Sequence, residues 1–142
     1  MTSDSFDRDS RVVELPEDEC RALLGTTTVG RIAFVDDDGQ QLVPVNFAYL
    51  DGAIYFRTRP DGFLAGLVGR DANVAFGVDH HDAMYQGGWN VTIKGIAERV
   101  EDPATIEKVL THARLRPRAG GDRPLVMRVT IAHIAGRTIV RH

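Results

Sequence analysis

The sequence predicts a mainly β domain with a few short helices, its strands curling into a small barrel of about six. Two observations carry this. Residues 29–59 read as two β-hairpins that share a middle strand, with Asp36–Gly39 and Asp51-Gly52 at the turns; Asp-Gly between apolar runs is a strong hairpin signal because Gly supplies a positive φ. Trp89, Val91 and Ile93 then alternate with Asn90, Thr92 and Lys94, the period of a strand with two unlike faces. Antiparallel strands with short helices in 142 residues suit a closed or half-closed barrel, since closure removes exposed edges.

The elements follow in order. Residues 1–12 are rich in Ser, Asp and Arg and read as a disordered arm, leaving 13–142 as a single domain. A helix is expected over Pro16–Leu24. Pro16 suits its first position, Glu17, Asp18 and Glu19 complement the dipole, and Cys20, Leu23 and Leu24 form one apolar stripe. Strands follow at Val29–Val35, Leu42–Leu50 and Ala53–Arg59. In the second, Val43, Val45, Phe47 and Tyr49 share a face; the other carries Leu42, Pro44, Asn46 and Ala48, so both faces are expected to be covered. Pro44 lacks an N–H and marks a bulge or an edge. A short helix is expected over Asp61–Val68, a fourth strand over Asp71–Asp79, and a polar loop over His80–Gly88. The strand from Trp89 runs to about Val100, with Gly95 marking a bend or close backbone approach. Asp102-Pro103 caps a helix that buries Ile106, Val109, Leu110 and Ala113. Arg114–Pro124 is a loop, Leu125–Gly136 the last long strand, and Arg137–His142 a short extension.

Composition narrows the function. The chain is 43% apolar and 26% charged, enough for a proper core. Seventeen basic against twenty acidic residues give a net charge of −3, which argues against general nucleic-acid binding and gives no reason to expect an anionic membrane surface. The single cysteine, Cys20, excludes an intrachain disulfide and reads as a small buried hydrophobe. No apolar stretch reaches a membrane span, and the polar, acidic start is no signal peptide, so a cytoplasmic location is expected. Asp79-His80-His81-Asp82 offers potential metal ligands, but adjacent residues of an extended segment point to opposite faces, and no metal is expected. The arginines at 114, 116, 118 and 123 read as a solvated loop. No nucleophile elbow, Walker loop or zinc spacing is present.

The strongest functional signal is Arg57-Thr58-Arg59, a basic-hydroxyl-basic strand end followed by a Pro-Asp-Gly turn. Alternation puts Arg57 and Arg59 on one face, where both can meet one anion, and turn amides lie just beyond. A phosphate-bearing ligand fits that chemistry.

The runs VGRIAF (29–34), LVPVNFAY (42–49), IYFRTR (54–59), VAFGVD (74–79), GGWNVTIKGIAERV (87–100) and AGRTIV (135–140), in this order and spacing, resemble the pyridoxamine 5′-phosphate oxidase-like flavin-binding split-barrel superfamily, most of all its small actinobacterial members. The resemblance covers about residues 14–140. It implies a six-stranded split β-barrel that forms a homodimer, with FMN in the grooves between subunits. It implies that Val43, Pro44, Val45, Asn46 and Phe47 lie along the isoalloxazine ring, their backbone groups bonding its polar edge. Phe56, Arg57, Thr58, Arg59, Gly62 and Phe63 would hold the phosphate and ribityl chain, and Trp89 and Asn90 would line the groove or reach it from the partner.

One position departs from that pattern. Relatives that bind FMN or the deazaflavin F420 commonly carry Lys or Arg where this chain has Phe63. A flavin phosphate brings about −1.5 to −2 charge, and one lost cation forfeits about 1.5–3 kcal/mol. Arg57 and Arg59, with Arg31, are the cations left to hold it. The leading expectation is an FMN-dependent oxidoreductase acting on a small-molecule substrate that would enter near Trp89 and Tyr85, with no residue nominated as acid or base. The alternative is a non-catalytic carrier of F420, haem or another planar ligand, for which His80, His81, His112 and His133 are the available imidazoles. A third is a dimeric interaction protein without a cofactor.

Overall fold

A computed structural model describes residues 10–59, 61–62, 64–67, 72–82, 84, 87–112, 115 and 125–141. Seven strands and two α-helices run in the order β1 (Ser10–Glu14), α1 (Glu17–Leu24), β2 (Val29–Asp36), β3 (Gly39–Leu50), β4 (Ala53–Thr58), β5 (Ala72–Asp82), β6 (Gly87–Arg99), α2 (Pro103–Thr111) and β7 (Leu125–Arg141). The strands form one antiparallel sheet in the order β1-β7-β4-β3-β2-β5-β6, and β6 also pairs with β7. That last pairing curls the sheet into a half-barrel, as expected.

The hairpins form where Asp-Gly predicts them. Asp51 (φ 49°) and Gly52 (φ 80°) both take the left-handed conformation that a tight two-residue turn requires. The seventh strand is β1. Ser10–Val12, assigned to the arm from composition, pair with β7 as Ser10↔Arg141 through Val12↔Ile139. Polar residues are tolerated there because β1 has β7 on one side only. β5 continues through His80–Asp82, which sequence composition assigns to a loop, and β7 is continuous to Arg141 through the Ala135-Gly136 step. The expected helix over Asp61–Val68 is, among the described residues, a single 3-10 turn at Ala65–Leu67, with Leu64 and Leu67 buried in the core.

Capping behaves unevenly. Asp102 Oδ2 accepts the Thr105 N–H at 3.0 Å and starts α2, with Pro103 at its first position. Its bonds to Thr105, side chain and then backbone, hold the Asp102 carboxyl below the usual range. Pro16 lies at the cap of α1, one residue before the helix, and contributes no side-chain bond.

The barrel interior is one apolar cluster. Ile32, Phe34, Phe47, Ile54, Phe56, Phe76, Val91, Ile93, Met127 and Val129 meet there, and Cys20 and Leu24 of α1 join them. A second cluster lies outside the barrel, where Val109 of α2 and Leu115 cover Ala48, Ala53, Tyr55 and Val126. β3 is therefore covered on both faces only in its second half. In its first half Val43 and Val45 pack on the core, while Leu42, Pro44 and Asn46 are exposed.

Gly95 is the close approach that its position in β6 predicts. The β6–β7 register shifts between Lys94 and Gly95, and a Cβ on Gly95 would fall 2.0 Å from the Thr130 carbonyl oxygen. Gly95→Ala is expected to lower stability by about 1–3 kcal/mol or more, as backbone must move to admit the methyl. An unchanged urea midpoint would refute this placement.

Candidate functional site

The sheet splits at Phe47. Phe47–Leu50 of β3 pair with Ala53–Phe56 of β4, but among the described residues the preceding part of β3 pairs only with β2. Past Phe56, β4 turns away with β7, as Arg57↔Val126 and Thr58↔Leu125. A gap opens between the first half of β3 and the end of β4.

Which backbone groups face that gap follows from the ladder. The Phe47 N–H donates to the Thr28 carbonyl at 3.0 Å. Hydrogen-bonded and non-bonded pairs alternate in antiparallel sheet. Val45 and Val43 therefore turn their backbone groups to β2, and Asn46, Pro44 and Leu42 turn theirs to the gap. Pro44, expected at a bulge or an edge, lies at this edge, in unbroken register with Arg31. Its missing N–H costs nothing where no strand pairs. The gap is thus rimmed by N–H groups of Leu42 and Asn46 and carbonyls of Leu42, Pro44 and Asn46.

Opposite this edge are the residues after Phe56. Arg57 is half-buried on the outer face of β4. Its Nη1 donates to the Leu115 carbonyl at 3.4 Å, and its Nε is buried without an acceptor among the described residues. A buried guanidinium N–H without a partner is costly, and an anion would relieve it. Arg59 is exposed, and its Nε lies 3.4 Å from Asp61 Oδ1. The two cations thus have different local partners: Arg59 has a carboxylate at hand, while Arg57 leans on a carbonyl. Thr58 is buried on the inner face and donates to the Arg59 carbonyl at 3.3 Å, and the Gly62 N–H donates to the same oxygen at 3.4 Å. Phe47 and Phe56 are fully buried, so they offer a ligand only backbone. Phe63 and Tyr85 lie outside the described residues, as do the arginines at 114, 116, 118 and 123.

Trp89 and Asn90 are elsewhere on the sheet. β6 is separated from the split edge of β3 by β2 and β5. Trp89 is half-buried against the barrel core; its ring forms an offset stack with His80, centroids 6.3 Å apart at 28°. Asn90 faces outward between Asp79 and Arg137. Arg31, on the same outer face, pairs with Asp79 at 3.3 Å, so its charge is met locally. Among the described residues, no three His, Cys, Asp or Glu side chains gather to hold a metal. Cys20 is buried, and that burial raises its thiol pKa. A small cleft between α2 and the β3–β4 hairpin, lined by Leu50, Tyr55, Thr105 and Lys108, lies on the outer face away from the split edge of β3.

Two placements were not legible in the sequence. His80 was hidden because β5 runs three residues past its apolar stretch; directly opposed positions of β5 and β6 bring it to Trp89. Leu115, the anchor of Arg57, is 58 residues away in the chain, and no local signal points to it.

Residues 16–138 match the model of the pyridoxamine 5′-phosphate oxidase family. The chain belongs to that family. An uncharacterized Mycobacterium tuberculosis protein, Rv0080, is 34% identical over 108 residues, covering 73% of this chain and 69% of its own. Among solved structures, an FAD-binding protein from Mycobacterium smegmatis superposes with a TM-score of 0.68 at 28% identity, covering 90% of this chain and 98% of its own. A Corynebacterium diphtheriae protein of unknown function, DIP1874, gives 0.74 at 27% identity, covering 91% and 98%. The split-barrel fold of this pyridoxamine 5′-phosphate oxidase family member is shared with them. No described helix is long and apolar enough to cross a membrane.

Proposed function

We propose that this family member is a flavin-dependent oxidoreductase that holds FMN at the split between β3 and β4. The observation that carries the reading is the split itself: a rim of backbone donors and acceptors lies beside the end of β4, where half-buried Arg57 has an Nε with no acceptor among the described residues. The polar edge of an isoalloxazine ring presents alternating acceptors and a donor, which the Leu42, Pro44 and Asn46 backbone groups complement. Arg57 would hold the phosphate, with Arg59 in support. A bound flavin supplies the hydride chemistry; the chain supplies binding, orientation and a dry wall from Val43 and Val45. The FAD-binding relative from M. smegmatis makes FAD the second candidate for the same site.

A second copy of the chain is the proposed partner. On the outer face of β2, β3 and β5 the small residues Ala33, Ala75 and Gly77 lie together, with Val29 (50% exposed) and Leu42 (67% exposed) beside them. Exposed apolar surface of this kind marks an interface. Ala33→Glu is expected to convert a dimer to a monomer by light scattering; an unaffected dimer would place the interface elsewhere.

The test of flavin binding is titration of flavin-free protein with FMN and FAD. Quenching of flavin fluorescence is expected, and ligand at a hundred times its Kd should add about 2.7 kcal/mol of stability. A protein that neither quenches nor gains stability with either flavin is not a flavoprotein.

A further inference from the structure

We propose that Leu115 is a positioning residue: its buried side chain fixes the carbonyl that holds the Arg57 guanidinium in place for an anion. That the anion is the flavin phosphate rests on the proposed function; that Arg57 is held does not.

The hold is built from α2 outward. Val109, in the last turn of α2, is buried, and its carbonyl accepts the His112 N–H at 3.1 Å. The His112 carbonyl in turn accepts the Leu115 N–H at 3.0 Å. Two backbone bonds therefore carry the chain from the end of the helix to Leu115. The Leu115 side chain is 3% exposed and belongs to the outer cluster with Val109, Tyr55 and Val126. With its N–H bonded and its side chain enclosed, Leu115 has little freedom to turn. Its carbonyl accepts Arg57 Nη1 at 3.4 Å.

Arg57 has few other supports. It stands opposite Val126 of β7, but among the described residues β4 has no strand on its β3 side past Phe56. A long, rotamer-rich side chain at such a branch would lose much freedom on meeting a ligand. Holding it beforehand removes that cost from binding, which is worth about 2- to 12-fold in affinity for one such side chain. The kind of partner matters too. A carbonyl carries no net charge, so it orients the guanidinium without neutralising it, and the full charge is kept for an anion. Arg59 shows the opposite arrangement, exposed and beside the Asp61 carboxylate.

The test has one arm with flavin and one without. Leu115→Ala is expected to weaken FMN binding by about 2- to 12-fold, measured by flavin fluorescence well below the melting temperature of each variant. Leu115→Met should restore most of the affinity. In an Arg57→Met background, Leu115→Ala should change the Kd by less than about twofold, because both residues act through one contact. Leu24→Ala, a loss from the barrel core beside α1, should leave the Kd unchanged and so separates positioning from lost stability. In flavin-free protein the Arg57 Nε–H is buried, and its nitrogen-15 NMR signal, identified by its loss in Arg57→Met, should exchange slowly with water. Leu115→Ala should speed that exchange. Fast exchange in the wild type, equal exchange in Leu115→Ala, additive effects on the Kd, or equal weakening by Leu24→Ala would overturn the proposal. Slow exchange that Leu115→Ala abolishes, in a protein that binds neither FMN nor FAD, would leave the hold standing and reject the flavin reading.

Discussion

Phe47→Ala is expected to destabilise the protein by about 3–5 kcal/mol, the range for an aromatic removed from a packed core. Phe47 is fully buried and meets Phe76 edge-on, ring centroids 5.0 Å apart at 75°. It is also the residue at which β3 changes neighbours. Its N–H bonds to Thr28 on the β2 side, and Phe56 of β4 is its partner on the other. Losing the ring removes interior packing where the sheet divides, so flavin affinity should fall with stability. Urea unfolding at fixed protein concentration measures the loss. A shift under about 1 kcal/mol would mean that the site collapses freely and that the branch point is not rigid.

Arg57→Met is expected to leave the fold intact and weaken FMN binding by about ten- to hundred-fold, the equivalent of one charge-assisted bond of about 1.5–3 kcal/mol. Methionine keeps an unbranched apolar stem while removing the charge. Arg59→Gln should cost less, because Arg59 is exposed and has Asp61 beside it. Fluorescence titration of the two variants decides the order. If Arg59→Gln weakens binding more than Arg57→Met, the phosphate is held at the turn and not at the strand end.

The two variants separate what is local from what is not. The Arg57-Thr58-Arg59 signal was legible because alternation along one strand is a local property. The unequal standing of the two arginines was not. It depends on Asp61 two residues away, which the sequence shows, and on Leu115, which it does not place. The same division explains Pro44. Its missing N–H announces an edge or a bulge, but only the departure of β4 at Phe56 shows that an edge is meant. Gly95 was read correctly as a close approach because few other roles suit a glycine inside a strongly alternating strand. His80 was misplaced in a loop because polar residues at a hairpin end carry no strand periodicity, although cross-strand pairing extends β5 over them. β1 was missed for a similar reason. Its partner is the far end of the chain, and Ser10–Glu14 has too little apolar pattern to show a strand by itself.

By itself the sequence determined the hairpins, the alternating faces, the capped start of α2 and the cationic strand end, since each depends on φ preference or side-chain period within a few residues. Tertiary structure alone decided where the sheet splits, which backbone edge is left facing the gap, that Arg57 donates to the Leu115 carbonyl, and that His80 meets Trp89. Those depend on pairing between segments far apart in the chain, where register, and not local preference, selects the neighbour.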